Sequence, residues 1–179
     1  MTIDLFRQWA VYNTWMNGRL YDAAAGLGEA AIREERGAFF GSIFGTLNHI
    51  VVGDTLWLKR FAASGCGRGL EGLDAIPAPA ALRDAVAADL AGLRARRETL
   101  DAMIVAWVDT LAEADLARPL TYRRISGEVE RKPLGPLVLH FFNHQTHHRG
   151  QATTLFSQAG VDVGVTDLLV LIPSAEAAP

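Results

Sequence analysis

Residues 140–151 read "HFFNHQTHHRGQ" and hold four of the chain's five histidines, His140, His144, His147 and His148. Everything about the fold turns on whether this stretch is a helix or a strand. Pro133 and Pro136 stand just before it and Gly160 just after it, the order that opens and closes a helix, which predicts one from about Leu134 to Gln158. At about 100° per residue, His140 at 0° puts His144 near 40°, His148 near 80° and His147 near −20°. All four then share one face with Gln151.

Working outward, helical periodicity dominates the rest of the chain. Phe6, Trp9, Ala10, Asn13, Met16, Asn17, Leu20 and Ala24 recur at steps of three and four, giving a first helix whose apolar face is broken by two asparagines. Ser42 caps a second helix that runs to about Ala63 with His49 at its middle, and the glycine-rich segment 65–72 stops it. After Pro77 and Pro79 a third helix is expected from about Ala80 to Leu111, with a stripe of Leu82, Val86, Leu90, Leu93, Leu100, Ile104, Trp107 and Leu111. Arg83, Asp84, Arg94 and Glu98 on its other side read as a solvated face. The exception is "LTYRRISGEVERK" (120–132), where residues of strand preference flank a Ser-Gly turn and predict a short β-hairpin before the last helix. The tail "VDVGVTDLLVLIP" (161–173) is apolar enough to pack back on the helices. Four long helices make an all-α four-helix bundle, expected to form one domain over residues 1–179.

Composition narrows the function. With 179 residues, 50% hydrophobic and a formal charge of −3, the chain supports a sizeable core and offers no broad basic field for nucleic acid. No stretch approaches the roughly 18 apolar residues of a membrane span, and the N-terminus lacks a signal-peptide pattern, so a cytoplasmic protein is expected. The single Cys66 cannot form an internal disulfide. The four tryptophans, Trp9, Trp15, Trp57 and Trp107, are assigned to packing. No nucleotide-binding glycine motif and no obvious pair of carboxylates occur.

The histidines carry the chemistry. His144 and His148 stand i, i+4, the spacing that lets two imidazoles converge on one ion, and the one remaining histidine that can supply a third ligand from another helix is His49. Gly45 and Gly53, about a turn to either side of it, leave room at that face. The competing reading is a hydrogen-bonded cluster in the core or on the surface, for which HxxxH spacing arises by chance. Residues alone leave both open.

At "HFFNHQTHHRGQ" the sequence resembles the DinB/YfiT-like (damage-inducible DinB) family of metal-binding four-helix proteins, whose last helix carries a motif of the form NHxxHHRGQ. The likeness extends to "YNTWMNGRLYDA" (12–23) and "LNHIVVGDTLWLKRF" (47–61), three motifs in order across most of the chain. The resemblance implies an up-down-down-up bundle with a long crossover, frequent homodimers, and a divalent metal such as zinc or nickel on His49, His144 and His148. His147 could replace His148 through an i, i+3 pair with His144. His140 is either a group supporting the ligands from behind or a proton carrier, or else a satisfied core histidine, and Asn13 and Asn17 either meet a substrate or tie helices together. Arg149 and Gln151 either bind an anion or serve structure. The expected function is a metal-dependent, transferase-like or hydrolase-like enzyme that activates a small thiol or water for a small-molecule substrate. The alternative is a non-catalytic stress-response bundle binding metal or a partner.

Overall fold

The computed structural model describes residues 2–174. Four long α-helices carry the architecture: α1 (Ile3–Leu27), α3 (Ile43–Phe61), α4 (Leu90–Thr110) and α5 (Leu134–Gln158), with a short α2 (Glu29–Arg33) after the first. Strands β1 (Pro119–Arg123) and β2 (Val129–Pro133) form an antiparallel pair directly before α5, as the Ser-Gly turn predicts. No helix among the described residues is long and apolar enough to cross a membrane.

Helix ends follow local chemistry. Ser42 accepts from the Gly45 amide at 3.0 Å and Asp89 from the Gly92 amide at 2.8 Å, each satisfying an orphan N–H of a first turn. At the end of α5, Gly160 takes φ +75°, and the Val161 amide reaches back to the Phe156 carbonyl while that of Gly160 reaches Ser157. These are the two bonds of a Schellman stop, and a left-handed residue there favours glycine.

Directions follow from pairs of contacts. Asn13 and Asn17 of α1 bond Asp101 of α4 while Asp22 bonds Arg94, so α1 and α4 run antiparallel. Asp54 meets Arg97 and Phe61 stacks on Trp107, so α3 and α4 run parallel. His49 faces His148 and Trp57 faces His140, making α3 and α5 antiparallel. In chain order this is up, down, down, up. Because α3 and α4 are parallel, residues 62–89 must return the length of the bundle before α4 begins.

That crossover corrects two expectations. The third helix starts at Leu90 and not near Ala80, because the backbone of the preceding residues is spent on α3: the Asn48 amide donates to the Asp84 carbonyl at 2.7 Å and accepts from the Val86 amide at 3.0 Å. A helix over 80–89 would use those groups internally. The tail packs only in part. Tyr12 donates to the Thr166 carbonyl and Arg19 to that of Val163, yet Leu169 is 73% exposed. The core is otherwise one continuous set of apolar side chains, with Phe61, Trp107, Phe141, Phe142 and Phe156 fully buried at its centre.

Candidate metal centre

Midway along α3 and α5, three imidazoles meet. One nitrogen from each of His49, His144 and His148 lies within 4.8 Å of the other two, so these residues are close enough to hold one metal ion. The Nε2 atoms of His49 and His144 are 3.3 Å apart. Two nitrogens each about 2.0 to 2.1 Å from a tetrahedral ion would be about 3.3 Å from one another, so this edge already fits.

The outer nitrogens set the tautomers. His49 Nδ1 lies 3.1 Å from the Leu82 carbonyl in the crossover, and His148 Nδ1 lies 2.7 Å from Gln151 Oε1. Both partners only accept, so each Nδ1 carries the proton and each Nε2 keeps its lone pair for the cluster. Gln151 is fixed in turn, because its amide donates to His147 Nε2 at 3.2 Å. Gln151 therefore serves structure at the site by orienting His148, and His147 orients Gln151 from outside the group. His144 Nδ1 is buried without a hydrogen-bond partner among the described residues.

Packing holds the rings in place. Phe40 stacks on His49 with centroids 3.8 Å apart and planes 16° from parallel. The His144 ring rests on the bare backbone of Gly53: a Cβ there would sit 2.7 Å from Cε1, closer than atoms tolerate. Gly45 plays a different part from the one its spacing suggests, since it leaves space for the Phe40 carbonyl rather than for the site. Burial holds His49 at a pKa of about 4 and His144 at about 3, and the same cause lowers His148. All three are neutral at pH 7, the form that binds metal.

A cavity of about 800 Å³ opens beside this cluster, lined by His49, His144, Gly53, Trp57, His140 and Tyr122 among others. His140 is thus no core residue; it is exposed on the cavity wall with its ring edge-on to Trp57 at 5.3 Å. Trp57, assigned to packing, also forms wall.

Asn13, Asn17 and Arg149 lie elsewhere. Both asparagines donate to Asp101, Asn17 at 3.0 and 3.2 Å, and Arg149 donates to Asn13 Oδ1 and sits over the Tyr12 ring. With Asp54 and Arg97 they form a buried polar junction joining α1, α3, α4 and α5. Burial pushes the Asp54 and Asp101 carboxyls upward, and Arg97 between them acts the other way. The sequence carried a sign of it: Arg97 and Asp101 stand i, i+4 among Leu93, Leu100 and Ile104, on the apolar stripe rather than opposite it. Nothing comparable marks Leu82, whose contribution is a main-chain oxygen, or Phe40. Cys66 is buried, and its carbonyl accepts from Trp107 Nε1 at 2.7 Å.

The chain is similar to Protein DinB of Bacillus subtilis (strain 168), with 25% identity over 157 residues that cover 87% of each protein. No solved structure matches it significantly. The model of the DinB family matches residues 1–178, from the first turn of α1 through the histidine helix and the tail, and on a match of that extent the chain belongs to the DinB family.

Proposed function

We propose that His49, His144 and His148 bind a divalent metal, zinc or nickel, and that the protein is a metal-dependent enzyme acting on a small molecule, a low-molecular-weight thiol being the preferred co-substrate. The observation that carries this reading is the cavity reaching His49 and His144, because a purely structural site would be closed on all sides. Held by three neutral imidazoles, a divalent ion would keep its charge and would supply Lewis-acid chemistry, lowering the pKa of a thiol or water toward neutrality. The chain's own residues supply the rest. Leu82 and Gln151 aim two of the lone pairs, Gly53 lets the third ring close in, and His140 on the cavity wall can take up or release a proton there. We further propose that the protein pairs as a homodimer, which light scattering at micromolar concentration tests directly.

Elemental analysis of purified protein tests the centre. Wild type should carry one metal per chain and each of His49→Ala, His144→Ala and His148→Ala should lose it with helical content retained, since two imidazoles hold an ion poorly. His147→Ala should keep it. Unchanged metal in His144→Ala would remove the site. Metal-loaded protein inert across a broad panel of thiols and electrophiles would instead favour a non-catalytic binding module of the stress-response kind.

A further inference from the structure

The far wall of the cavity is built by the hairpin, and its register decides what that wall offers. Leu120 pairs with Lys132 and Tyr122 with Glu130, so these four side chains leave the same face of the sheet, and Tyr122, Glu130 and Lys132 line the cavity. Arg124 continues that wall and Arg60 of α3 completes it. Three cationic side chains thus stand against one carboxylate in a chain whose overall charge is −3. The lining itself thus runs positive, against the sign of the whole protein.

Two of the three cations are already answered. Glu130 lies 3.1 Å from Lys132 and 3.7 Å from Arg124, which also meets Glu128 at 3.1 Å. Arg60 has no carboxylate within bonding distance among the described residues. Its guanidinium lies over the faces of Trp57, at 4.7 Å, and Tyr122, at 5.2 Å, and one nitrogen donates to the Arg123 carbonyl at 3.2 Å. Burial lowers its pKa, the mark of a cation that has lost water without gaining an anion. Flat aromatic surfaces, a planar donor fork with unused N–H groups and a reactive end at the histidines therefore converge on one space.

We infer that this cavity takes a small organic anion, a carboxylate on an aromatic or apolar body, with the carboxylate on Arg60 and the body against Trp57 and Tyr122. The orientation of its other end toward His49 and His144 rests on reading those residues as a metal centre; the anion site does not. Arg60 then decides specificity, because a neutral analogue leaves its fork unpaired.

Phenylacetate and its neutral isostere phenylacetamide are suitable probes, titrated by calorimetry into metal-loaded wild type, Arg60→Gln and Arg60→Lys, with metal content measured on each sample. Phenylacetate should bind wild type at least about tenfold more tightly than phenylacetamide, Arg60→Gln should abolish that preference, and Arg60→Lys should retain part of it. Metal content should not change in either variant, since Arg60 touches none of the three histidines. Equal binding of acid and amide by wild type, no binding of either, or a preference surviving intact in Arg60→Gln would overturn the assignment. Preserved carboxylate preference in a protein that takes up no metal would uphold the anion site and remove the metal centre instead.

Discussion

Residues outside the trio of histidines set how well it can grip an ion. Gln151 holds His148 by its amide oxygen, and losing such an outer partner commonly weakens metal binding by about 10- to 100-fold. Gln151→Ala should show that loss in competition with a chromogenic chelator, and His147→Ala a smaller one, because its hydrogen bond goes to Gln151 and it meets His148 only by an edge-to-face ring contact at 4.8 Å. Gly53→Ala separates the site from the fold. Alanine raises helix propensity by about 1 kcal/mol over glycine, so the helix itself gains, while the new methyl group displaces the His144 ring that now lies 2.7 Å from that position. The expected outcome is a weakened metal site in a protein whose urea midpoint does not fall. A drop in both together would mean that Gly53 serves packing in general and not the imidazole.

At the scale of elements, the polar junction and the crossover do different work. Arg97 is 2% exposed and lies against both Asp54 and Asp101, so Arg97→Ala strands two carboxylates and should cost about 3 to 5 kcal/mol. Arg94→Ala, one turn away and paired with Asp22 and Glu98 at the surface, should cost about 1 kcal/mol or less; urea unfolding of the two variants measures the contrast. Asn48→Ala releases the Asp84 carbonyl and the Val86 amide together, and faster amide exchange confined to residues 77–89 is the expected sign. The long helices were legible because each carries its own period and its own caps, as Ser42 and Gly160 do. The start of α4 was not, because Leu82 and Val86 fall in step with the stripe of Leu90 and Leu93 although their backbone is claimed by a helix some 35 residues earlier, at Asn48 and His49. Likewise the i, i+4 histidines announce themselves within one helix, whereas Asp54 and Arg97 meet across 43 positions and reveal their partnership only once α3 and α4 lie side by side.

For the whole molecule, the neutral histidines tie folding to acidity. His49 takes its proton at about pH 4 when folded and near 6.5 when unfolded, so between those values the unfolded chain binds protons that the folded one refuses. In metal-free protein that contribution is fully present above about pH 6.5, is lost as the pH falls toward 4, and amounts to about 3 kcal/mol at most; His144 extends the loss to about pH 3. Urea midpoints of the metal-free protein should therefore drop from pH 7.5 to pH 5, and His49→Ala should flatten the slope. Midpoints that do not move would contradict neutral, buried imidazoles. The up-down-down-up course has a further effect on how this protein can change over generations. Since α3 and α4 point the same way, the returning strand of chain passes the site, and what it gives His49 is the carbonyl of Leu82, an atom that every amino acid possesses, while the Leu82 side chain itself is 49% exposed. The hold on His49 accordingly asks nothing of the side chain at position 82, which lines the cavity, and a library of all residues there should keep the metal, but a single insertion or deletion between Pro77 and Val86 would carry the oxygen out of reach. For the metal centre, what counts along this stretch is the number of residues and not their identity.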